Sequence, residues 1–397
     1  MGPFDRKTHK GKARRHFMTI LPPQRPLADR VYGYGLAGLL GLFVLGGAAG
    51  VLLAPFARTD ALPGENRRLG ALPPLPGNIE EWDTFPRRFE AFVNDHFGFR
   101  AALIHTQTDL STALLNRLPT DQVVAGTDGW LFYAGEGSLA LFQRAVELDP
   151  DRLDAWRTQL AERVGRLNSL GAGYAFTVAP DKHTIYGEYM PGYLHRGRNP
   201  SPHDQFMTMA TANDLPVIDL RPALMAGKPS GQLYMRDDTH WNARGAYVAY
   251  RALMARLGRE ALDLGDGDFD MRPNGPGDLA RMALIDRLEQ VPATRAQALP
   301  CEVREVERVN DPSGKATLIR TRCEGAAGKL VLYRDSFGDA LLPFFAASFG
   351  EVVALSGTPA LADIERLVEA ERPDFVLEER VERHLRFPPA GPSTEAR

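Results

Sequence analysis

Cysteine is nearly missing from this 397-residue chain: there are two, Cys301 and Cys323, and they are not spaced like metal ligands. Basic charge is not in excess either. Lys and Arg number 47 against 50 Asp and Glu, a formal net charge of −3, which argues against nucleic acid as a partner. No internal repeat and no long low-complexity tract occurs, so fibrous, solenoid and disordered classes are set aside. The pattern G-x-S-x-G is absent, which excludes the nucleophile elbow of the α/β-hydrolases.

One long hydrophobic run is present. Residues 31–56, "VYGYGLAGLLGLFVLGGAAGVLLAPF", carry no charged side chain and exceed the ~20 residues a helix needs to cross a bilayer. A signal-peptide core spans only about 7–15 apolar residues, and no A-x-A cleavage site follows this run. The run is therefore read as a retained transmembrane anchor, with a cleaved signal or a buried core helix as alternatives. Residues 1–30 hold Arg6, Lys7, Lys10, Lys12, Arg14, Arg15, Arg25 and Arg30 against Asp5 and Asp29. Positive charge stays cytoplasmic, so the rest of the chain is expected in the bacterial periplasm. Residues 57–78, rich in Pro and Gly, read as a tether. Residues 79–386 read as one folded domain, and 387–397 as a loose tail.

The two cysteines flank strand-like runs around an Asn-Asp-Pro-Ser-Gly turn at 310–314. In a symmetric hairpin Cys301 and Cys323 would face each other and bridge, and an oxidising compartment would keep the bond. Elsewhere helical and strand patterns alternate. Leu153, Trp156, Leu160, Val164 and Leu167 recur at helical spacing before Gly171, and strands are expected at 173–180 and 215–220. Asn242 reads as the cap of a helix buried through Ala246, Tyr247, Tyr250, Leu253, Met254 and Leu257, with Gly258 as its stop. From 329 onward, "KLVLY", "DALLPFFAASFG", "EVVALS", "ALADIERLVEAER" and "DFVLEE" give a βαβαβ rhythm. That implies parallel strands covered by helices on both faces, with ligands beyond the strands' carboxyl ends.

At such an end stands "YRDSFGD" (333–339), which places Ser336 between a strand and a helix. Its amide is then positioned to stabilise an oxyanion, although a serine there is commonly no more than a helix cap. A serine hydroxyl needs a base to take its proton, and the base needs an orienting acid. "DDTHWNARGA" (237–246) supplies both, because Asp238 and His240 stand at i and i+2 and share one side of an extended segment. The candidate triad is Ser336, His240 and Asp238. The plainer alternative for this stretch is a surface turn with a hydrogen-bonded histidine. A metal held by Asp237, Asp238 and His240 is a third, but no further ligand is evident.

Five ordered stretches, "NDHFGFR" (94–100), "GTDGWLFY" (126–133), "VAPDKHTIYGEYMP" (178–191), "DTHWNARGA" (238–246) and "YRDSFGDALLPFF" (333–345), resemble the SGNH-hydrolase-like domain of the alginate O-acetylation proteins, the AlgJ/AlgX group. The resemblance implies a flavodoxin-like three-layer α/β/α sandwich with a mostly parallel sheet, and acetyl transfer onto an exported polysaccharide. It carries the catalytic roles onto Asp238, His240 and Ser336, with no metal and no bound cofactor, the acetyl group coming from a donor. It also implies a membrane-bound O-acyltransferase partner that passes acetyl groups outward. With an anchor and no room for a C-terminal carbohydrate-binding module, the chain looks closer to the AlgJ type. The alternatives are an acetyl esterase using the same triad and a non-catalytic glycan-binding or assembly protein. Trp130, Phe132 and Tyr133 are either sugar-stacking aromatics or core, with core favoured. Lys182, Arg334 and Tyr133 are candidates for binding substrate, with ion pairing or solvation as the alternative for the two cations.

Overall fold

The computed structural model of the chain describes residues 27–54, 69–99, 106 and 118–388. Contacts divide it into two compact units, Met1–Asp60 with Leu69–Ala101, and Ala61–Arg68 with Ala102–Arg397. The first unit holds helices α1 (Leu27–Leu53) and α2 (Ile79–His96). Phe43 of α1 stacks on Phe99 and tilts against Phe97, just after α2. Among the described residues no helix is long and apolar enough to cross a membrane. The side chains of 31–37 and 39, and all of 55 and 56, lie outside those residues, so the crossing expected for 31–56 rests on sequence. Most of the tether (57–68) and of the tail (389–397) also lies outside.

The second unit contains, in chain order, β1 (Val123–Ala125), β2 (Leu131–Tyr133), α3 (Pro150–Ser169), β3 (Gly173–Ala179), α4 (Pro202–Ala212), β4 (Val217–Asp219) and α5 (Ala243–Arg256). There follow β5 (Phe269–Asn274), β6 (Glu289–Thr294), β7 (Val303–Asn310), β8 (Ala316–Cys323), β9 (Lys329–Arg334), β10 (Glu351–Ser356), α6 (Leu361–Glu371) and β11 (Phe375–Val381). Seven strands form one sheet in the order β4-β3-β11-β9-β10-β8-β7. The first five pair in parallel, and β8 and β7 extend that edge as an antiparallel hairpin. The sheet is therefore mixed. Successive side chains leave a strand on opposite faces, and β9 shows the result. Leu330 and Leu332 enter one core with Tyr247, Tyr250, Leu253 and Phe344, while Val331 and Tyr333 enter the other with Trp156, Leu160, Ile364 and Val368. Helices on both faces make three layers.

Local chemistry explains the helices that frame the site. In α3, Asp149 accepts from the Asp151 N–H, Pro150 opens the first turn, and Trp156, Leu160 and Leu167 are buried. Arg163 on the same face donates at 2.7 Å to both oxygens of Glu378 in β11, a buried pair that ties the helix to the sheet. In α5, the Asn242 side chain accepts from the Arg244 and Gly245 amides, and Ala246, Tyr247, Tyr250, Leu253 and Met254 point inward. The expected continuous helix around Pro343 is broken. A 3-10 turn, Gly338–Ala340, precedes a one-turn helix, Leu342–Ala346, with Pro343 in its first turn where the missing N–H costs nothing.

Cys301 and Cys323 are bridged, with Cα atoms 5.8 Å apart. The register is not the symmetric one expected, because Val303 rather than Cys301 pairs with Cys323. The pairing is centred on Ser313 rather than Pro312, so the bond reaches diagonally across the hairpin end.

Candidate active site

The end of β9 carries the serine. Asp335 follows Arg334, and its carboxylate ties the turn at two points. The Phe337 N–H donates to Oδ1 at 2.8 Å, and the Val381 N–H donates to Oδ2 at 2.7 Å. The Asp335 N–H in turn donates to Oε2 of buried Glu379 at 3.2 Å. Burial, then the Asp335 charge, pushes the Glu379 carboxyl well above its ordinary range. Gly338 is required here, since a Cβ would lie 2.5 Å from Cβ of Arg334 and 2.9 Å from Oε2 of Glu379. The turn holding Ser336 is thereby fixed between two neighbouring strands.

Asp238 and His240 lie in the loop closed by the isolated bridge of Tyr234 to Trp241, just before Asn242, the cap of α5. The segment bends at 236–240 and is not the extended stretch expected. The Asp238 carboxylate folds back instead, so that Oδ1 accepts both the His240 backbone N–H at 3.0 Å and Nδ1 at 2.6 Å. A carboxylate can only accept, so Nδ1 carries the proton and Nε2 is left to face Ser336 Oγ at 2.8 Å. The Trp241 indole donates to the Phe337 carbonyl at 3.0 Å, and the buried Phe337 ring lies 4.7 Å from the imidazole. These contacts tie the two halves together from the side.

Electrostatics matches this geometry. Burial would raise the Asp238 pKa, but the His240 hydrogen bond and charge bring it down to about 2. Burial opposes protonation of His240, but Asp238, then Asp278 and Asp335, outweigh it and raise the imidazole above its ordinary value. A serine, an imidazole and a carboxylate in hydrogen-bonded sequence can carry out acyl transfer. Asp238, His240 and Asp278 also bring ligand-type atoms within 4.8 Å of one another; Asp238 Oδ1 and both ring nitrogens of His240 are engaged in the hydrogen bonds just described.

The other candidates sit differently. Lys182 is 4% exposed, and its ammonium donates to the carbonyls of Met235, Arg236 and Asp238 at 3.1, 3.0 and 2.6 Å. It clamps the segment that carries the acid, and no donor is left over for a sugar. Arg334 is 1% exposed and ion-paired to Asp339, on the wall of a separate cavity of about 580 Å³ under the β7–β8 hairpin. Tyr133 is half-buried with the Arg383 guanidinium 5.3 Å from its ring, and burial first, then Glu136, raises its phenol. Trp130 and Phe132 are core, Trp130 stacking 4.5 Å from Tyr186. Asp237 is fully buried, with Arg287 4.0 Å away, and burial followed by Glu289 raises its carboxyl to about 6. A cavity of about 760 Å³ opens beside His240, lined by Met235, Asn274, Gly277, Arg281, Pro292 and Phe344 among others.

Sequence reasoning passed over two residues of this site, Asp335 and Asp278. Asp335 adjoins the serine in "RDSFG", and Asp278 follows a Gly-Pro-Gly run that forces a tight approach of backbone.

Ser336, His240 and Asp238, hydrogen-bonded in sequence at the carboxyl end of a parallel strand of a three-layer α/β sheet, point to the class. The chain belongs to the family described as the SGNH hydrolase-like domain, acetyltransferase AlgX, which matches residues 123–333. Asp238 and His240 lie inside that match, and Ser336 lies just beyond it. Among curated proteins, the chain is similar to the probable alginate O-acetylase AlgJ of Pseudomonas putida, 30% identical over 180 residues, 42% of this chain and 43% of that one. It is also similar to the protein of the same name in Pseudomonas aeruginosa, 32% identical over 136 residues, 34% of this chain and 33% of that one. The chain thus matches less than half the length of these relatives. Of solved structures, the O-acetyltransferase domain of Pseudomonas putida AlgJ aligns over 69% of this chain and 95% of its own, at 20% identity and a TM-score of 0.44. Bacillus cereus PatB1 aligns over 67% and 97%, at 14% identity and 0.46.

Proposed function

We propose that the chain is a periplasmic O-acetyltransferase that acetylates hydroxyls of an exported polysaccharide, alginate or another envelope glycan. The observation that carries this reading is the unbroken chain Ser336–His240–Asp238, with contacts of 2.8 and 2.6 Å. His240 Nε2 takes the Ser336 proton as Oγ attacks the carbonyl carbon of an acetyl donor. The tetrahedral intermediate collapses to acetyl-Ser336, and His240 returns the proton to the departing group. A sugar hydroxyl then gives its proton to His240 and attacks the acetyl carbon, and as that intermediate collapses His240 returns the proton to Ser336 Oγ, which leaves the acetylated sugar and the free serine. The Ser336 N–H makes no hydrogen bond among the described residues, and it serves the oxyanion. No step calls for a metal or bound cofactor.

The charge-free stretch 31–56 anchors the chain in the inner membrane behind a cytoplasmic basic tail, and a membrane-bound O-acyltransferase delivers acetyl groups from the cytoplasmic side. Family membership and relatives named as alginate O-acetylases support a polysaccharide acceptor. Purified protein given an acetyl ester with and without oligosaccharide tests the reading. Acetylated oligosaccharide, lost in Ser336→Ala, is expected. Free acetate alone, at a rate indifferent to the oligosaccharide, would make it an esterase instead.

A further inference from the structure

Asp278 lies at the start of a one-turn helix, Asp278–Met282, far from the Asp-x-His stretch in sequence. Its backbone N–H donates to Asp238 Oδ2 at 2.9 Å, the oxygen that His240 does not use. Its carboxylate accepts from the Thr239 N–H at 2.7 Å and from the Thr239 hydroxyl. Because that hydroxyl gives its proton to Asp278, its oxygen is free to accept, and it stands 3.1 Å from His240 Nδ1. Asp278 Oδ2 itself is 3.7 Å from the same nitrogen. The approach is close enough to demand glycine, since a Cβ on Gly277 would fall 2.3 Å from the Asp237 carbonyl oxygen and 2.7 Å from Cβ of Asp238. The Ala280 N–H secures the same segment by donating to the Asp237 carbonyl at 3.0 Å.

We infer that Asp278 is a positioning residue of the acyl-transfer site. It locks Asp238 by its amide, orients the Nδ1–H through Thr239, and places a second negative charge against the imidazolium that forms in each half-reaction. The inference rests on the triad reading given above. An imidazolium made in the transition state is stabilised by fixed charge nearby, and an opposite charge within about 4–6 Å shifts a pKa by about 1–3 units. The other ionisable groups facing His240 are Asp238, Asp335 and Asp339. Lys182 and Tyr133 act on Asp278, and Arg281 lies on the same cavity wall. Lys182 is the cation packed behind the pair, and it binds carbonyls rather than either carboxylate. Among these, Asp278 is the carboxylate joined to both Asp238 and Thr239.

The test uses the full chain with isotope-labelled histidine, the His240 signal being assigned by its loss in His240→Gln. In Asp278→Asn the imidazole midpoint is expected to fall by about one pH unit. The rate of Ser336 acylation by p-nitrophenyl acetate is expected to fall about tenfold or more at its plateau, with its acid limb moved down by the same amount. Asp278→Glu, which keeps the charge, is expected to restore most of the midpoint. A merely structural residue would cost stability and leave the midpoint in place, so an unmoved midpoint in folded Asp278→Asn overturns the inference. If that variant does not fold, Thr239→Ala cuts the bridge and leaves both carboxylates. Slower acylation supports the inference, and an unchanged rate overturns it. Failure of the triad reading appears separately, as p-nitrophenyl acetate labelling that survives Ser336→Ala while the His240 midpoint still responds to Asp278.

Discussion

Asp335 holds the Val381 N–H at 2.7 Å, so the residue before Ser336 is bonded to the last residue of the neighbouring parallel strand. Its other oxygen holds the Phe337 N–H on the far side of Ser336. The serine is thus set by a bracket that spans two strands. Asp335→Ala strands both amides, at about 1–3 kcal/mol for each buried group left unpaired. Urea unfolding is expected to show that loss, and acylation of Ser336 should slow by more than tenfold. Asp335→Asn keeps one acceptor and should fall between. Wild-type acylation in Asp335→Ala would show that the bracket does not position the serine.

The raised pKa of His240 and the lowered pKa of Asp238 set two pH dependences. Acylation needs neutral imidazole, so its rate should rise with pH through a midpoint above the ordinary histidine value of about 6.5. Stability follows the opposite limb. The folded state favours protonated His240, a contribution fully present below about 6.5 and lost as pH rises through the folded value. Asp238, held at about 2, contributes above its ordinary 3.8 and loses that contribution as pH falls toward 2. Thermal melts of wild type against His240→Gln across pH 3 to 9 should converge at the alkaline end. Divergence there would reverse the sign.

Lys182 is a clamp for the acid-bearing segment. Burial lowers its pKa from 10.5 to about 7, opposed by Asp278 and Asp238. The unfolded chain therefore holds more protons between those values, and this residue makes stability rise with pH across that window. Lys182→Met removes that slope and strands the carbonyls of Met235 and Asp238, at a cost of about 3 kcal/mol, while the Arg236 carbonyl keeps the Leu131 N–H. Chemical denaturation at pH 7 and pH 9 measures both. A substrate-binding role predicts the reverse pattern, with a raised KM and unchanged stability.

The strands of the parallel sheet, the helices α3, α5 and α6, and the stretches that carry Ser336, His240 and Asp238 were legible because each depends on local pattern. Asn242 before "ARGAYVAYRALM" fixes α5, and "KLVLY" before "RDSFG" fixes where the serine stands. What escaped depends on partners distant in sequence. Asp278 meets Asp238 only because the 270–290 hairpin folds over the Asp-x-His segment, and nothing in "NGPGDLARM" names its target. Lys182 stands among residues of ordinary loop character, so its burial under three carbonyls has no sequence signature. The hairpin register escaped because the turn is centred on Ser313, one residue past the midpoint of the two cysteines, and "NDPSG" does not by itself say which of its residues stands at the tip.

The Cys301–Cys323 bond closes a loop with a sequence separation of 22 and supplies no triad member. Its reduction is expected to lower stability by about 3 kcal/mol and leave acylation unchanged in protein that stays folded. Mass spectrometry of unreduced protein should show one cross-linked peptide pair. Two alkylatable thiols in native protein would remove the bond from the account.

The central claim is that Ser336 is acylated with His240 as base. A slowly deacylating ester, followed by digestion and peptide mass spectrometry, tests it directly. The account predicts one acyl mass on the peptide containing "LVLYRDSFGDALL", absent in Ser336→Ala and nearly absent in His240→Ala, because triad members act as a unit. A label on another residue, or a label that persists in Ser336→Ala, would contradict it.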